Sequence, residues 1–445
     1  MRMNWRVLVV PLSCTALMMA VACGSDDGDN SDGGRGTGGS AGAEQRSQRV
    51  ESEECASHEM RPDRLFEIVD KLIALSADEA DPSSKNVYVI PGHWSPFWST
   101  PLLGYSAAKD EMGFSGEFEA ACEAGDPDCI EKQVDLFTEL TDGESDNREA
   151  DGIAIGCKGA AEMEAPITAA ASSIPVITFD ADVSNPTDTG RQLYLGAMNL
   201  PAGRSAGETI LDLVSEGTVR LYARSFSAAN LLERAAGVFA VCLDTSFDSA
   251  EDFEQSASCS DLGTTYECQA DCTGDHSGVS VVAVAYGDQF DDDTAWQADH
   301  PDSDAEDYLA SLLDGLLTSD DPPAGLISLH GTPSPVVEKA IADADQGGEV
   351  KYVAWDFSAE VQNGLVSGTV DAAMVQNSYF YGYLSAHITY AMVATDPATV
   401  LDVLDEYFES NVDDHLLDTG MTVVTSDNLE IYSEYQETCL GLTSG

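Results

Sequence analysis

The sequence predicts an α/β fold with two lobes, each built on a parallel sheet covered by helices on both faces. Apolar runs of four to eight residues alternate with stretches of helical periodicity, which is typical of such a sheet. The chain has 445 residues, too many for one small core and suited to two lobes of ordinary domain size. Its hydrophobic fraction of 43% is normal for a globular protein, so composition does not indicate global disorder.

The strands and helices follow from the apolar pattern. A helix is expected at 58–77, because Leu65, Ile68, Val69 and Leu72 share one face that would pack on the first lobe. Further helices are predicted at 131–140, 228–243 and 335–344. The runs predicted to be strands are 87–91, 151–156, 174–179, 219–224, 279–286, 325–330, 351–355 and 371–376.

The N-terminus has the pattern of a targeting segment rather than of a folded element. Arg2 and Arg6 precede a short apolar run, and residues 20–23, Ala-Val-Ala-Cys, read as a lipobox. Residues 1–23 are therefore predicted to be a lipoprotein signal peptide, with Cys23 as the lipidated N-terminus after cleavage. Two acyl chains would anchor the protein stably. Residues 24–57 are predicted to be a flexible acidic tether, since a Gly/Ser/Asp sequence cannot bury a core.

Cysteine usage agrees with export to an oxidising compartment. Leaving aside Cys14 and Cys23, nine of the 11 cysteines remain, which suggests four disulfides and one free thiol. Cys122 could pair with Cys129, and Cys55 with Cys439. Cys157 is the candidate for the free thiol. A group of four lies in or beside one polar insertion: Cys242, Cys259, Cys268 and Cys272.

The charge is strongly acidic, and this excludes some partners. The chain has 79 acidic and 20 basic residues, which gives a net charge of −59. Such a surface repels nucleic acid and anionic lipid headgroups, so no nucleic-acid partner is expected and the membrane is met only through the lipid anchor. An acidic surface of this kind is usually an adaptation to salt. The alternative is a surface meant for cations or a basic partner.

Polar and aromatic residues follow directly after several predicted strands. Ser95–Trp98 follow the first strand, Asp180 ends the third, and Asp356 ends the strand at 351–355. Ligands bind beyond the carboxyl ends of the strands in such sheets, so two sheets facing each other would form a cleft lined by these residues. Chain crossings near 197–199, 375–376 and 421 are expected to be the hinges.

The order of these segments resembles the periplasmic sugar-binding proteins of the type I fold, in the ribose-binding-like branch of substrate-binding proteins of ABC transporters. The resemblance covers most of residues 86–430. It implies two doubly wound parallel-sheet lobes joined by a multi-strand hinge. The first lobe would comprise 58–197 plus 376–420, and the second 198–375 plus 421–445.

The resemblance implies a set of ligand-binding residues from the first lobe. The family's Asn-Pro-Phe-Phe turn falls on 95–98, so Phe97 and Trp98 would meet the sugar ring, while Ser95 replaces an amide. Asp180 and Asp182 fall on the family's acidic segment after the third strand. Ala181 and Asp182 stand where some members have Arg, which argues against ribose as the ligand.

The second lobe supplies the remaining candidates. Arg234 matches an arginine on a helix, and His330 stands where the family has an asparagine. Trp355 and Asp356 match an aromatic–Asp pair, and Gln376 matches a hinge glutamine. The alternatives are structural: Asp180 and Asp356 could be helix N-caps, and Arg234 could pair with surface acids.

No motif indicates catalysis, a metal site or a cofactor, so the chain is predicted not to be an enzyme. We expect an extracytoplasmic, lipid-anchored, monomeric solute-binding protein that closes over a small sugar-like ligand and delivers it to an ABC permease. It would lie on the periplasmic side of a cell membrane or at the cell surface. The alternatives are a receptor that reports its ligand to a membrane sensor and a surface lipoprotein that has lost ligand binding.

Overall fold

A computed structural model of the protein describes residues 53–142, 148–226, 228–247, 252–253, 267–301, 303–409 and 415–442. The predicted signal peptide, the lipidation site at Cys23 and the tether up to residue 52 lie outside the described residues. The four-residue helix Glu53–Ala56 occupies the end of the predicted 24–57 tether.

The first lobe is built on a parallel sheet of five strands. These are β1 (Val87–Ile90), β2 (Gly152–Ile155), β3 (Val176–Phe179), β4 (Tyr194–Gly196) and β11 (Leu416–Asp418). They lie in the order β1-β2-β3-β4-β11, and every neighbouring pair is parallel. β1 to β4 are buried along their whole length, because apolar side chains on both faces are covered.

The second lobe is built on a sheet of seven strands. These are β5 (Gly217–Ala223), β6 (Glu267–Asp271), β7 (Val279–Ala285), β8 (Gly325–Ser328), β9 (Lys351–Trp355), β10 (Ala372–Gln376) and β12 (Met421–Thr425). The order is β12-β10-β9-β8-β5-β7-β6, and only the edge strands β6 and β12 pair antiparallel. All eight predicted strands are confirmed to within two residues at each end. The central strand β4 and the edge strands β6, β11 and β12 were not among the eight.

Helices cover both sheets. The four predicted helices are confirmed as Asp63–Ser76, Cys129–Thr141, Ala229–Cys242 and Ser334–Asp343. The other described helices of at least six residues are Ser99–Met112, Glu164–Ala170, Asn199–Leu213, Tyr286–Asp292, Thr294–Asp299, Ala305–Leu317, Ala359–Ser367, Tyr379–Ala394, Pro397–Leu404 and Leu429–Leu440.

Each sheet separates two hydrophobic cores. Alternate residues of a strand enter opposite cores: Val87 and Val89 of β1 lie in one cluster, and Tyr88 and Ile90 in the other. The helix Asp63–Ser76 adds its apolar face to the first-lobe core, as predicted. The fold is therefore the predicted α/β arrangement of two lobes with parallel sheets.

The chain passes between the two sheets at three places in the described residues. It leaves the first lobe after β4 through the helix Asn199–Leu213, and returns after β10 through the helix Tyr379–Ala394. It crosses again between β11 and β12. These crossings fall where the sequence predicted them, near 197–199, 375–376 and 421.

Two helices of the second lobe cross at a pair of glycines, and this contact positions a candidate site residue. A Cβ on Gly203 would lie 2.1 Å from the carbonyl oxygen of Arg234, and one on Gly237 would lie 2.4 Å from that of Leu200. Only glycine permits so close a backbone approach. Arg234 is thereby held against the start of the helix Asn199–Leu213.

Three disulfides are formed within the described residues. Cys122 pairs with Cys129 and Cys55 with Cys439, as predicted, and Cys242 pairs with Cys272. Cys268 is also disulfide-bonded. Cys157 is free and buried, as predicted, and burial raises the pKa of its thiol far above the usual value.

Candidate functional site

Two aspartates occupy equivalent places at the carboxyl ends of the two sheets. Asp180 directly follows β3 and Asp356 directly follows β9. Both have left-handed backbone angles, with φ of 60° and 64°. Left-handed residues other than glycine are uncommon, and Asp is among the residues that tolerate the conformation best. In each lobe the chain thus turns sharply at the strand end.

Arg234 is the centre of a buried polar network in the second lobe. Its side chain donates to Asn199 Oδ1 over 2.9 Å, to the carbonyl of Leu329 over 2.8 Å and to Gln376 Oε1 over 3.0 Å. The residue is only 3% exposed. Because each bond comes from a different guanidinium nitrogen, the orientation of the planar group is fixed.

Gln376 links this network to the carboxylate of the second lobe. Its Nε2 donates to Asp356 Oδ1 over 2.8 Å, while its Oε1 accepts from Arg234 and, over 3.0 Å, from the hydroxyl of Tyr381. The Tyr381 hydroxyl in turn accepts from the backbone N–H of Ala197 over 3.3 Å. The network therefore spans two of the three chain crossings.

Trp355 lies beneath Arg234 and offers no open face. The ring is fully buried in the second-lobe core, with the Arg234 guanidinium carbon 4.5 Å from the ring centroid. A cation over an indole face is attracted by the ring quadrupole. The sequence suggested a second stacking surface for a ligand, whereas the ring here supports the guanidinium.

The aromatic turn of the first lobe contains one ring in the core and one at its edge. Ser95 precedes the 3₁₀ turn Pro96–Trp98, which follows β1. Trp98 is 3% exposed and packs edge-on against Phe179 at a centroid distance of 5.8 Å. Phe97 is only partly buried and lies edge-on to Trp98 at 5.0 Å. Phe97 is thus the aromatic of this turn with accessible surface.

The carboxylate of Asp180 has no hydrogen-bond donor within the described residues. Its backbone carbonyl accepts from the hydroxyl of Tyr194 over 2.9 Å. Desolvation raises the pKa of Asp180 to about 6, opposed by attraction to Arg234 and assisted by repulsion from Asp356. Asp180 is therefore an acceptor whose hydrogen bonds remain to be made.

The pKa of Asp356 is also raised, and the main cause is again desolvation. Hydrogen bonds from Gln376 and the backbone of Gly331, together with Arg234, oppose the shift. The positive charge of Arg234 favours the ionised form of both carboxyl groups, one from each lobe. The carboxyl ends of β3 and β9 therefore lie near the same guanidinium.

Asp182 is engaged within the first lobe. It accepts from Arg191 Nε over 2.9 Å, from Arg191 Nη2 over 2.5 Å and from the hydroxyl of Thr178 over 2.6 Å. The guanidinium of Arg191 is fully buried. This pair leaves Asp182 little free hydrogen-bonding capacity, and it braces the loop that contains Asp180.

His330 follows β8 and lies beside the second-lobe network. Its Nε2 is 3.3 Å from the backbone N–H of Arg224, and its Nδ1 is 3.3 Å from that of Thr332. Desolvation and the nearby Arg234 and Arg224 lower the pKa of His330 to about 3, so the ring is neutral at pH 7. A neutral imidazole has one accepting nitrogen, so only one of these bonds forms at a time.

Sequence reasoning missed several polar groups at the same strand ends. Lys158 follows β2 and Arg224 follows β5, which is the pattern that identified Asp180 and Asp356. Tyr381 gave no such signal, because its role depends on the crossing that brings it back to Gln376.

The arrangement combines fixed donors, carboxylate acceptors and one accessible aromatic ring at the facing ends of two sheets. Such groups can bind hydroxyls and the C–H faces of a small polar molecule. The described residues contain no group of three or more His, Cys, Asp or Glu side chains that could hold a metal ion.

Fold and site together define a two-lobed ligand-binding protein. The chain belongs to the periplasmic binding protein family, because the model of the periplasmic binding protein domain matches residues 87–396. Members of this family are solute-binding proteins, so the chain is not assigned as an enzyme. No curated protein matches the sequence.

Solved structures share the fold at low identity. An ABC transporter solute-binding protein from Burkholderia graminis, in complex with D-arabinose, has 22% identity and a TM-score of 0.56, covering 78% of this chain and 98% of its own. One from Agrobacterium vitis, bound with α-D-tagatopyranose, has 18% identity, a TM-score of 0.55 and coverages of 78% and 96%. The arabinose-binding protein AraP from Geobacillus stearothermophilus has 21% identity, a TM-score of 0.52 and coverages of 78% and 98%.

Among the residues that the structure describes, no helix has both the length and the apolar character needed to cross a membrane.

Proposed function

We propose that the protein binds a small sugar or sugar-like ligand between its two lobes. The observation that carries this proposal is that Asp180 and Asp356 directly follow strands of opposite sheets, and that Gln376 joins Asp356 to the guanidinium of Arg234 by hydrogen bonds. The charge of Arg234 also influences both carboxyl groups. Carboxylates accept hydrogen bonds from hydroxyls, and a guanidinium donates to hydroxyl or ring oxygens. A polyhydroxylated molecule satisfies all three groups at once.

The related structures support the same ligand class. Two of them hold D-arabinose and α-D-tagatopyranose, and a third is an arabinose-binding protein. At these identities the likeness concerns the fold, so the sugar class rests on the chemistry of the cleft as well.

The ten candidate residues take two kinds of role in this proposal. Seven would touch the ligand through polar groups or an accessible ring: Ser95, Phe97, Asp180, Arg234, His330, Asp356 and Gln376. The others would hold these in place: Trp98 beneath Phe97, Trp355 beneath Arg234, and Asp182 through Arg191.

A thermal-unfolding screen tests the proposal. The protein would be heated with pentoses, hexoses, polyols and amino acids; a ligand at about 100-fold its dissociation constant should add about 2.7 kcal/mol of stability. Phe97→Ala should reduce the effect of an active sugar. Phe408→Ala is a matched control, because that ring is also partly buried in the first lobe but contacts His415. Amino acids as the only stabilising class would overturn the sugar assignment.

We further propose that the protein acts outside the cytoplasm, anchored by lipid at Cys23, and delivers its ligand to an ABC permease. Membrane fractions of cells expressing Cys23→Ser should lose the protein, whereas Cys14→Ser should leave it attached. Retention of the Cys23→Ser protein would refute the anchor. Cells lacking the protein should also lose uptake of the labelled ligand; normal uptake with a lost transcriptional response would favour a sensor role.

A further inference from the structure

Lys158 is an unpaired cation in a protein dominated by acids. Of the lysines and arginines within the described ranges, it is the one whose side chain makes no hydrogen bond or ion pair. With 79 acidic and 20 basic residues, an exposed lysine would be expected to find a carboxylate. Its isolation therefore calls for a local explanation.

The backbone of Lys158 is fixed at the carboxyl end of the first sheet. Its N–H donates to Gln133 Oε1 over 2.8 Å, and Gln133 Nε2 donates to the carbonyls of Pro91 and Gly156 over 3.1 and 2.8 Å. Gln133 is fully buried and so ties together the loops after β1 and β2. Lys158 thus starts from a rigid support beside the loop that contains His93.

The second lobe presents its own cation to this region. Arg224 follows β5 and its side chain is 53% exposed. Its guanidinium forms an ion pair with Glu306 over 3.3 Å. Desolvation and then Arg224 lower the pKa of Lys158, so the two cations lie close enough to repel each other. Desolvation and Lys158 lower the pKa of His93 to about 4, which leaves a neutral ring beside them.

Sheet order places these groups apart from the carboxylates. In the first lobe, Asp180 ends β3 and Lys158 follows β2, one strand further from the edge where the crossings lie. In the second, Asp356 ends β9 and Arg224 follows β5, two strands further from that edge. Neighbouring strands are about 4.8 Å apart. In each lobe the aspartate therefore lies nearer the crossings, at the inner end of the cleft, and Lys158 or Arg224 lies further from them, at the outer end.

We propose that the ligand is a sugar carrying an anionic group, a carboxylate or a phosphate, which Lys158 and Arg224 hold at the outer end of the cleft. The inference rests on the proposed function and narrows its ligand class. Closing the two lobes brings like charges together, and an anion between them turns that repulsion into attraction. The hydroxyls of the same molecule would meet Asp180, Asp356 and Arg234 at the inner end.

Titration calorimetry with matched sugars tests this. The full chain would be titrated with D-glucose, D-glucuronate, D-glucose 6-phosphate, D-galactose and D-galacturonate at one salt concentration. An acidic sugar should bind at least tenfold more tightly than its neutral counterpart. Comparing D-glucuronate with D-glucose 6-phosphate shows whether the site prefers a carboxylate or a phosphate.

Two lysine variants separate a binding role from a general charge effect. Lys158→Met should weaken binding of the acidic sugar at least tenfold and leave binding of a neutral sugar within twofold. Lys339→Met removes an exposed cation paired with Asp343 and should change neither.

Equal affinity of the wild-type protein for neutral and acidic sugars would overturn the inference and leave the proposed function intact. The same conclusion would follow if Lys158→Met weakened the binding of neutral and acidic sugars equally. A folded protein that bound no sugar of either kind would contradict both.

Discussion

The two faces of the cleft differ in how far their polar groups are already bonded. In the second lobe, Arg234, Gln376 and Asp356 bond to one another and to the backbone. In the first lobe, the carboxylate of Asp180 and the ammonium of Lys158 have no such partners among the described residues. The first face therefore has unmet hydrogen-bonding capacity, whereas most of the second is fixed in advance.

This difference suggests a division of labour in binding. A preorganised face loses little entropy when a ligand arrives, so it can set the ligand's orientation. The unpaired face gains hydrogen bonds when the lobes close, so its contribution depends on closure. Variants in the second lobe should lower both stability and affinity, whereas variants of the unpaired groups in the first lobe should lower affinity without lowering stability.

The largest combined effect on stability and ligand affinity is expected from Arg234→Ala. The substitution leaves Asn199, the Leu329 carbonyl and Gln376 without a donor in a buried site, so we expect the free energy of unfolding to fall by about 3 kcal/mol. Ligand affinity should fall at least 100-fold. Arg220→Ala is the matched control, since its ion pair with Glu267 is partly exposed and should cost less than about 1 kcal/mol. Urea unfolding and calorimetry measure both; equal effects of the two variants would contradict the preorganised network.

The disulfides of the two lobes offer a second comparison. Cys242–Cys272 closes a separation of 30 residues and Cys122–Cys129 one of 7. Longer loops lose more entropy when closed, so replacing the first pair by alanines should cost about 3.5 kcal/mol and the second about 2.5 kcal/mol. Chemical denaturation of the two double variants checks this order. A larger loss of stability on removing Cys122–Cys129 would indicate that packing around the disulfide in the folded protein, and not loop length, determines its contribution.

Asp180→Asn and Asp356→Asn should have opposite effects on stability. Asn tolerates the left-handed backbone at both positions. At pH 7 the neutral amide at 180 removes the cost of an unpaired, desolvated charge, so stability should rise by about 1 kcal/mol. At 356 the new NH₂ group faces the donors of Gln376 or Gly331, so stability should fall by about 1 kcal/mol.

Urea unfolding of both variants shows directly whether each substitution raises or lowers the free energy of unfolding. The same sign at both positions would remove the distinction between the two faces. A destabilising Asp180→Asn would mean that the carboxylate makes bonds in the folded protein.

A smaller effect is expected from pH. Because folding raises the pKa of Asp180 from 3.8 to about 6, the folded state holds this proton more tightly than the unfolded chain. The stability that Asp180 contributes is thus present below about pH 4 and lost as pH rises through 6. Ligand hydroxyls favour the ionised form, so affinity should rise up to about tenfold from pH 5 to pH 7. Calorimetry across this range, with Asp180→Asn as the flat control, tests the assignment; an equally steep rise in the variant would contradict it.

The sequence predicted the fold well because the central strands are continuous apolar runs between helices. Four strands were outside the eight: β6, β11 and β12 lie at sheet edges, and β4 is a central strand of only three residues. β11 pairs with β4 and β12 with β10, strands that are distant in sequence, and such pairing cannot be seen in local composition. β6 pairs with the next strand, β7, but alternates buried and exposed residues instead of forming a continuous apolar run.

The positions of Asp180 and Asp356 directly after strands were predictable from the sequence, because a polar residue follows a continuous apolar run. Trp98 and Trp355 show the limit of that rule. The sequence near a strand end does not distinguish an aromatic ring that lines the cleft from one that packs in the core. The rings of Trp98 and Trp355 are both buried. The ring positions depend on packing with Phe179 and Arg234, which are distant in sequence.

The central claim is that both faces hold one ligand, and a calorimetric comparison of two variants tests it most directly. The active sugar from the thermal screen would be titrated into the wild-type protein, Asp180→Asn and Gln376→Ala. We predict that each variant weakens binding at least tenfold, because each removes a group from a different lobe. Wild-type affinity in either variant would mean that the ligand is held by one lobe alone, and would contradict the account.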